Sequence, residues 1–224
     1  MAYRIIRTVL APLFHTFFRL RFKNRAAVPK VGPAILTANH QSFCDSLFLP
    51  LSTRRQVTFL AKAEYFDDWR SAWFFRALGQ IPIRRSGGDA SQRALDTARE
   101  VLDAGRVIAL YPEGTRALDD FVHKGRTGVA RLALVSGAPV VPLGLRGTTA
   151  VQPVGSRLLR PFRRVEVRFG DPMTISAADV EACGSEREAL RIFTDALMAE
   201  ISRLSGRSYL DEYVPRPDGK KLPS

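Results

Sequence analysis

A histidine and an aspartate stand close together at the end of an apolar run near the start of the sequence. The stretch NHQSFCD covers residues 39–45, and Asp45 is the first acidic residue of the chain. On a continuous helix five positions turn through about 500°, so the side chains of His40 and Asp45 would point ~140° apart. If His40 lies instead in a strand-to-helix turn and the helix begins near Ser42, the carboxylate can reach back to the imidazole. Such a carboxylate fixes the tautomer and leaves the other nitrogen to take a proton from a hydroxyl group.

A structural interpretation of the same residues stays open beside the catalytic one. Ser42 and Asp45 have nearly the spacing of a capping box, so Asp45 could serve only as a helix cap. His40 would then be a hydrogen-bonded structural histidine, and two residues without further His or Cys nearby fall short of a metal site. The chain contains no G-x-S-x-G elbow, and the apolar setting of Cys44 gives a thiolate no support. A catalytic pair would therefore have to activate an external hydroxyl group or water, for transfer or hydrolysis.

Further clusters combine basic residues with other polar groups. Arginine presents a planar fork that matches phosphate oxygens, and a carboxylate can accept hydrogen bonds from substrate hydroxyl groups. Taken singly, such basic residues are usually solvated surface groups. Neither a P-loop nor a G-x-G-x-x-G pattern occurs, so a nucleotide cradled by backbone amides is not indicated. The clusters are GQIPIRR with Arg84 and Arg85, YPEGTR with Glu113, Gly114, Thr115 and Arg116, and VHKGR with Lys124 and Arg126.

The elements that must position these clusters are short apolar runs separated by helical patterns. The first five runs are rich in Val, Ile and Leu with little alternation, which is typical of strands covered on both faces. The sixth run alternates clearly, which suits the edge of a sheet. Helical patterns between the runs begin with capping-box spacings at Asp89 and Ser185 and stop at Gly105, Gly137 and Gly206. The predicted strands are 33–39, 56–61, 79–83, 106–111, 139–145 and 164–169.

This alternation predicts an α/β fold in which a mostly parallel mixed sheet is flanked by helices. Ligands of such sheets bind beyond the carboxyl ends of the strands. NHQSFCD, the arginines of GQIPIRR and PEGTR each follow the carboxyl end of a predicted strand. The pattern therefore predicts that the three clusters converge on one crevice.

Composition limits the classes of protein that the chain could represent. Its 224 residues, 46% of them hydrophobic, are enough for one domain with a sizeable core. Cys44 and Cys183 show no C-x-x-C spacing, so the chain has neither a disulfide framework nor a zinc motif, and a reducing compartment is expected. The net charge of +12 favours a polyanionic partner, which could be nucleic acid, an anionic membrane or a phosphorylated substrate.

The N-terminal segment combines apolar pairs with exclusively positive charge. Residues 1–44 contain no Asp or Glu, and apolar pairs recur every four residues in IIRTVLAPLFHTFFRLRF. Arg7, Pro12 and His15 interrupt this stretch too often for a membrane span, so it predicts a helix lying on an anionic bilayer. A helix packed on its own domain is the alternative. The predicted organisation is an amphipathic membrane-associating helix over 1–25, a catalytic domain over 26–210 and a tail over 211–224.

Taken together, these motifs resemble those of the glycerolipid acyltransferases, and most closely the bacterial lysophosphatidic acid (1-acylglycerol-3-phosphate) acyltransferases. NHQSFCD fits the N-H-x-x-x-x-D signature of that family, and GQIPIRR, YPEGTR and APVVPLGLRG resemble its second, third and fourth motifs in family order. The resemblance covers about residues 30 to 150. Each motif alone is weak, but the set is specific enough to favour the catalytic interpretation of the first cluster.

The resemblance implies a role for each matching residue. His40 would be the general base and Asp45 its partner. The chain departs from the family pattern at Arg84, Tyr111 and Ala117, which leaves the expected chemistry intact and bears on the choice of acceptor. The residues that would hold the glycerol-phosphate part of the acceptor are Arg85, Glu113, Gly114 and Arg116, followed by Thr115 and Lys124.

The expected reaction transfers a fatty acyl group from acyl-CoA or acyl-carrier protein to the free hydroxyl of lysophosphatidic acid, which gives phosphatidic acid for phospholipid biosynthesis. No metal or bound cofactor is expected, and neither is a nucleic acid partner. The expected location is the cytoplasmic face of a bacterial inner membrane, with peripheral or monotopic attachment, and the oligomeric state is left open. Alternatives are another lysophospholipid or a glycolipid as acceptor, or a non-catalytic basic module that binds membranes or nucleic acid.

Overall fold

The computed structural model describes residues 2–77, 79–83, 90–156 and 158–215, and within them strands alternate with helices. Each of the six predicted strands overlaps an observed one, and three short strands were not predicted. The strands of this part of the chain are β1 Arg21–Lys23, β2 Ala34–Ala38, β3 Val57–Lys62, β4 Ile81–Ile83, β5 Val107–Leu110, β6 Val122–His123, β7 Val140–Arg146, β8 Glu166–Phe169 and β9 Tyr209–Leu210.

Seven of these described strands form one mixed sheet in the order β1-β8-β7-β2-β5-β3-β4, and β6 pairs with β9 separately. The five strands from β7 to β4 in that order run parallel to one another, whereas β8 is antiparallel to β7. The prediction of a mostly parallel mixed sheet is therefore confirmed.

The prediction that 164–169 forms a sheet edge is wrong. β8 is paired on one side with β7 and on the other with β1, which runs parallel to it. Its alternation has a different cause. Val167 and Phe169 enter the core, and Glu166 on the other side is buried in ion pairs with Lys23 and Arg168. The polar residues of this strand therefore pair with one another instead of facing bulk water.

Helices cover both faces of the sheet. The predicted helix ends at Gly137 and Gly206 are confirmed, since both residues are left-handed C-caps, and Ser185 caps its helix by accepting from the Glu188 N–H. Asp89, the other predicted cap, lies outside the described residues. The helices are α1 Ala2–Phe18, α2 Asp45–Ser52, α3 Trp69–Ala77, α4 Ala90–Asp103, α5 Gly128–Ser136, α6 Thr148–Val151, α7 Ala177–Cys183 and α8 Glu186–Ser205.

Two apolar layers form the core. On one face, residues of α4, α5 and α8 pack against Ile35, Ile108 and Val140 of the central strands. At Gly144 the backbone of β7 meets the end of α8 so closely that a Cβ would lie 2.2 Å from the Leu204 carbonyl carbon. The other face of the sheet is covered by α2 and the segment before β2.

The N-terminal helix lies outside α2. The ring of Phe48 is 5.6 Å from that of Phe14 and 5.3 Å from that of Phe18, so the last two turns of α1 pack on the domain. Leu13 and Phe17 on the same turns are exposed. The side chains of residues 2–7, 9 and 10 lie outside the description, so the full apolar stripe stays a prediction. In the part of the chain that the structure describes, no helix has both the length and the apolarity to cross a membrane.

The first residues of the predicted tail contact the domain. The Lys124 N–H donates to the Glu212 carbonyl, which continues the pairing of β6 with β9, and Val214 is buried. Residues 216–224 lie outside the described part of the chain.

Candidate active site

Two of the three predicted clusters meet at the carboxyl edge of the sheet. β2 and β5 are parallel neighbours, with Thr37 level with Leu110, so the chain that follows each strand leaves the sheet at the same point. There the His40 N–H donates to Glu113 Oε2 at 2.8 Å, and the Ala117 N–H donates to the His40 carbonyl at 2.8 Å. Arg84 and Arg85 of the remaining cluster lie outside the described residues.

The predicted contact between His40 and Asp45 is confirmed. His40 Nδ1 lies 2.9 Å from Asp45 Oδ2, in a turn between β2 and α2, and Asp45 is the first residue of the helix. The helix thus begins three residues later than Ser42. A carboxylate can only accept, so Nδ1 donates and Nε2 carries the lone pair. With the histidine side chain 16% exposed, Nε2 suits proton abstraction from a bound hydroxyl group.

Asp45 also organises the backbone of this turn. The same oxygen, Oδ2, accepts from the Gln41 N–H and the Ser42 N–H, each at 2.8 Å. Its other oxygen, Oδ1, is buried without a hydrogen-bond partner among the described residues. The structural and catalytic interpretations of Asp45 are therefore compatible, because one oxygen atom serves the turn and the imidazole together.

Tyr111 fixes the plane of the His40 ring. Its ring stacks on that of His40 with centroids 3.8 Å apart and planes within 8°, and its hydroxyl lies 3.1 Å from Ser46 Oγ in α2. Burial raises the pKa of the Tyr111 phenol well above its usual value, and the nearby Asp45 charge adds to this, so the phenol stays neutral. The sequence marked Tyr111 only as a departure from the family pattern, and a contact between residues 40 and 111 has no local signal.

Glu113 faces inward. It is 1% exposed, with Oε2 accepting from the His40 N–H and Oε1 accepting from the His123 N–H at 3.0 Å. Burial raises its pKa to about 7, against the opposing effect of these two hydrogen bonds. Glu113 therefore joins the turn that carries His40 to β6, and its predicted contact with the acceptor stays a prediction.

His123 is a site-supporting residue that sequence reasoning did not single out. Its buried ring places Nδ1 at 3.1 Å from the Glu212 carbonyl and Nε2 at 2.9 Å from Asp119 Oδ2. Each ring nitrogen therefore faces a hydrogen-bond acceptor. The ring ties the segment after β9 to the loop after PEGTR. No periodicity in the VHKGR stretch could have indicated this.

The remaining predicted site residues that the structure describes are Gly114, Thr115, Arg116 and Lys124. Gly114 and Arg116 are exposed, Thr115 is half-buried, and Gly114 has a φ of +79°. A Cβ on Gly114 would lie 2.9 Å from Arg126 Nε, so glycine allows the turn to pass beside that guanidinium. Lys124 is ion-paired with Asp211 at 2.9 Å.

Cys44, next to Asp45, does not supply a nucleophile. Burial raises the pKa of the Cys44 thiol to about 12, so it stays protonated at neutral pH, as its apolar setting suggested. Among the residues that the structure describes, no group of three or more His, Cys, Asp or Glu is placed to hold a metal ion.

Several known proteins are similar to this chain in sequence. A chloroplastic 1-acyl-sn-glycerol-3-phosphate acyltransferase of Arabidopsis thaliana is 28% identical over 177 residues, covering 79% of this chain and 49% of that protein. The 1-acyl-sn-glycerol-3-phosphate acyltransferase of Bacillus subtilis (strain 168) is 24% identical over 185 residues, covering 82% of this chain and 87% of that protein. The chain thus spans about half the length of the Arabidopsis protein. It spans 43% of a second chloroplastic 1-acyl-sn-glycerol-3-phosphate acyltransferase, from Brassica napus.

The fold is also found in a crystal structure, that of the 1-acyl-sn-glycerophosphate acyltransferase of Thermotoga maritima. The TM-score is 0.67 at 23% identity, and the match covers 91% of this chain and 83% of that one. A family model described as Acyltransferase matches residues 19–146, which is more than half of the chain and includes both His40 and Glu113. The chain therefore belongs to the acyltransferase family.

Proposed function

We propose that the protein transfers a fatty acyl group from an acyl thioester to the free hydroxyl of lysophosphatidic acid. The product is phosphatidic acid, a precursor in phospholipid biosynthesis. The donor is acyl-CoA or acyl-carrier protein, and no metal or bound cofactor takes part. The observation that carries the proposal is the His40 imidazole held by Asp45 at the carboxyl edge of the sheet. The names of the similar proteins point to the same acceptor.

The geometry supports a direct transfer. His40 Nε2 takes the proton from the acceptor hydroxyl as that oxygen attacks the thioester carbonyl. The resulting tetrahedral oxyanion collapses, the C–S bond breaks, and the departing thiolate receives the proton from the imidazolium. Asp45 stabilises the imidazolium between these two steps, and the stacked Tyr111 ring keeps Nε2 aimed in one direction.

Acceptor recognition is assigned to the exposed part of the PEGTR loop. Arg116 is exposed next to Ala117, whose N–H is bonded to the His40 carbonyl, so its guanidinium is available to a phosphate close to the base. Arg85 and Thr115 are proposed to add contacts to the phosphate or glycerol. Lys124 would act there in exchange for its ion pair with Asp211.

The proposed location is the cytoplasmic face of a bacterial inner membrane, where the lipid acceptor resides. Residues 1–25 would bind the bilayer surface, residues 26–210 would carry the catalytic domain, and residues 211–224 would form the tail. Exposed Leu13 and Phe17, together with a segment free of acidic residues, support contact with an anionic surface.

The test is a transfer assay with purified protein, a panel of lysolipids, and both acyl-CoA and acyl-carrier protein. Ester formation on lysophosphatidic acid that disappears in His40→Ala and persists in His15→Ala supports the proposal. Transfer only to a lysolipid with a larger head group, or to a glycolipid, would replace the acceptor and keep the reaction type. Absence of transfer with every pair of substrates contradicts the proposal and favours a non-catalytic basic module.

A further inference from the structure

A second basic and apolar surface lies beside the N-terminal helix, in the loop of residues 152–164 between α6 and β8. The chain has no acidic residue between Asp120 and Glu166, and the loop itself contains four arginines. Leu158 is 79% exposed and Phe162 is 61% exposed, and Val154 is exposed as well. Large exposed apolar side chains among positive charges are unusual for a loop that contacts only water.

The loop and the N-terminal helix form one surface. The Phe162 N–H donates to the Phe17 carbonyl at 2.6 Å, and the two rings lie 5.9 Å apart. The Val165 N–H donates to the Phe18 carbonyl at 3.1 Å, so the end of the loop is fixed to the end of α1 at two points. The exposed side chains of Leu13 and Phe17 therefore continue into those of the loop.

The backbone of Phe162 adds an independent observation. Its φ is +62°, in the left-handed region that a bulky side chain rarely adopts. Such conformations persist where the surrounding structure imposes them, and they are concentrated at functional positions. Here the unfavourable conformation holds a phenylalanine largely outside the protein, where it contributes little to the core.

The loop is also connected to the catalytic turn. β7 is parallel to β2, so the chain that leaves β7 emerges at the catalytic edge of the sheet. Gln152, the first residue of the loop, accepts from the Cys44 N–H through Oε1 at 3.2 Å and from Ser42 Oγ through its carbonyl at 3.2 Å. The start of the loop is thus hydrogen-bonded to the turn that carries His40.

We propose that the 152–164 loop is a second membrane-contacting element, which takes a bilayer surface with anionic head groups. Phe162 and Leu158 enter the interfacial layer, and Arg160 and Arg163 contact phosphate groups beside them. The absence of carboxylates from the loop and α1 disfavours a basic partner, and the exposed Leu158 and Phe162 favour a bilayer over a purely polar polyanion. Vesicle binding by the loop does not depend on the transferase activity. A bound loop would also raise turnover by bringing a lipid acceptor to the catalytic edge, and this second effect rests on the proposed function.

The first experiment measures co-sedimentation of the full chain with phosphatidylcholine vesicles, with and without phosphatidylglycerol. Leu158→Ser/Phe162→Ser should weaken binding to the anionic vesicles roughly tenfold. The matched control is Val135→Ser/Ile192→Ser, which changes two exposed apolar residues on α5 and α8, over the other face of the sheet. Equal losses in the two variants, or no loss in the loop variant, would overturn the proposal.

A second pair of variants tests the charges. Arg160→Gln/Arg163→Gln should reduce binding at low salt roughly tenfold and flatten its salt dependence. Arg106→Gln/Arg131→Gln removes the same charge from exposed positions outside the loop and should have a much smaller effect. If the two pairs behave alike, net charge alone drives binding and the loop has no special role.

Phe162→Gly separates lipid contact from a structural role. Glycine adopts a positive φ without strain, so the melting temperature should be unchanged or higher while vesicle binding falls. A lower melting temperature together with unchanged binding would show that Phe162 is only structural. In transfer assays the loop variants should lose activity on vesicle-embedded acceptor and keep it on detergent-dispersed acceptor. If no variant has activity in either assay, the proposed function fails, and the vesicle measurements still decide the fate of this inference.

Discussion

Asp45→Asn is the substitution that best separates the charge of this residue from its hydrogen bonds. All three donors, His40 Nδ1 and the N–H groups of Gln41 and Ser42, converge on Oδ2, and Oδ1 has no partner among the described residues. The carbonyl oxygen of asparagine can therefore take the place of Oδ2 and keep the tautomer of the imidazole. Its NH2 group would replace Oδ1 and be buried without an acceptor, which should cost about 1–3 kcal/mol of stability.

The loss of charge should appear in the rate. A unit charge about 4 Å from the imidazolium is worth roughly 4 kcal/mol at an effective dielectric constant of about 20. If most of that interaction develops with the imidazolium in the transition state, kcat should fall by about 10²–10⁴-fold. The assay is kcat at saturating lysophosphatidic acid and acyl-CoA, with urea unfolding of the same samples to show that each variant is folded.

Comparison with His40→Ala decides whether the pair acts as a unit. His40→Ala should lower kcat by roughly 10²–10⁴-fold, and His40→Ala/Asp45→Asn should be little worse than that single variant. Near-full activity of folded Asp45→Asn would show that the carboxylate only organises the turn. A double variant whose loss equals the product of the two single losses would likewise refute the coupling.

Three further substitutions test neighbouring contacts. Tyr111→Phe keeps the ring stacked on the base and should change kcat less than about threefold, whereas Tyr111→Ala should lower it roughly tenfold; equal effects in steady-state assays would contradict a positioning role for the ring. The Glu113 carboxyl has a pKa of about 7 in the folded chain and 4.5 in the unfolded chain. Between these two pH values the folded state holds a proton that the unfolded state has released. The free energy of unfolding should therefore fall by about 3 kcal/mol as the pH rises through this range. Urea unfolding of Glu113→Gln should lack this component of the pH dependence, and an unchanged slope would reject it. Arg116→Ala should raise the KM for lysophosphatidic acid more than the KM for acyl-CoA, and equal increases would count against phosphate binding.

The sequence predicted what local patterns encode. Apolar runs of four to seven residues located the strands of the parallel sheet, and the left-handed glycine caps located helix ends such as those at Gly137 and Gly206. β1 was not predicted because three residues in a basic stretch carry no hydrophobic pattern. Its pairing with β8 is the reason that the prediction of a sheet edge at 164–169 is wrong. The start of α2 was placed three residues early because Ser42 has the spacing of a cap, yet its hydroxyl group donates to Gln152 and does not accept from a backbone N–H of the helix.

The long-range contacts of the site could not be predicted in this way. The stack of Tyr111 on His40 and the bond from the His40 N–H to Glu113 depend on the register of β2 with β5, which joins residues about 70 positions apart. Two of the motifs named by the resemblance, NHQSFCD and YPEGTR, meet at the carboxyl edge of the sheet. It could not say which of them point into the protein, because orientation is set by packing and a motif records only order and type.

Burial divides the YPEGTR stretch into two sets of residues with different tasks. Tyr111 and Glu113 face inward and hold the ring and the backbone of His40, whereas Gly114 and Arg116 face outward. Glu113 is buried and offers only acceptor oxygens to an anion, whereas the exposed guanidinium of Arg116 can donate to a substrate phosphate. Changes at the inward set should therefore act mainly on kcat and stability, and changes at the outward set mainly on the affinity for the acceptor. One short loop can serve both tasks because its inward side is fixed by hydrogen bonds to the turn that carries the base.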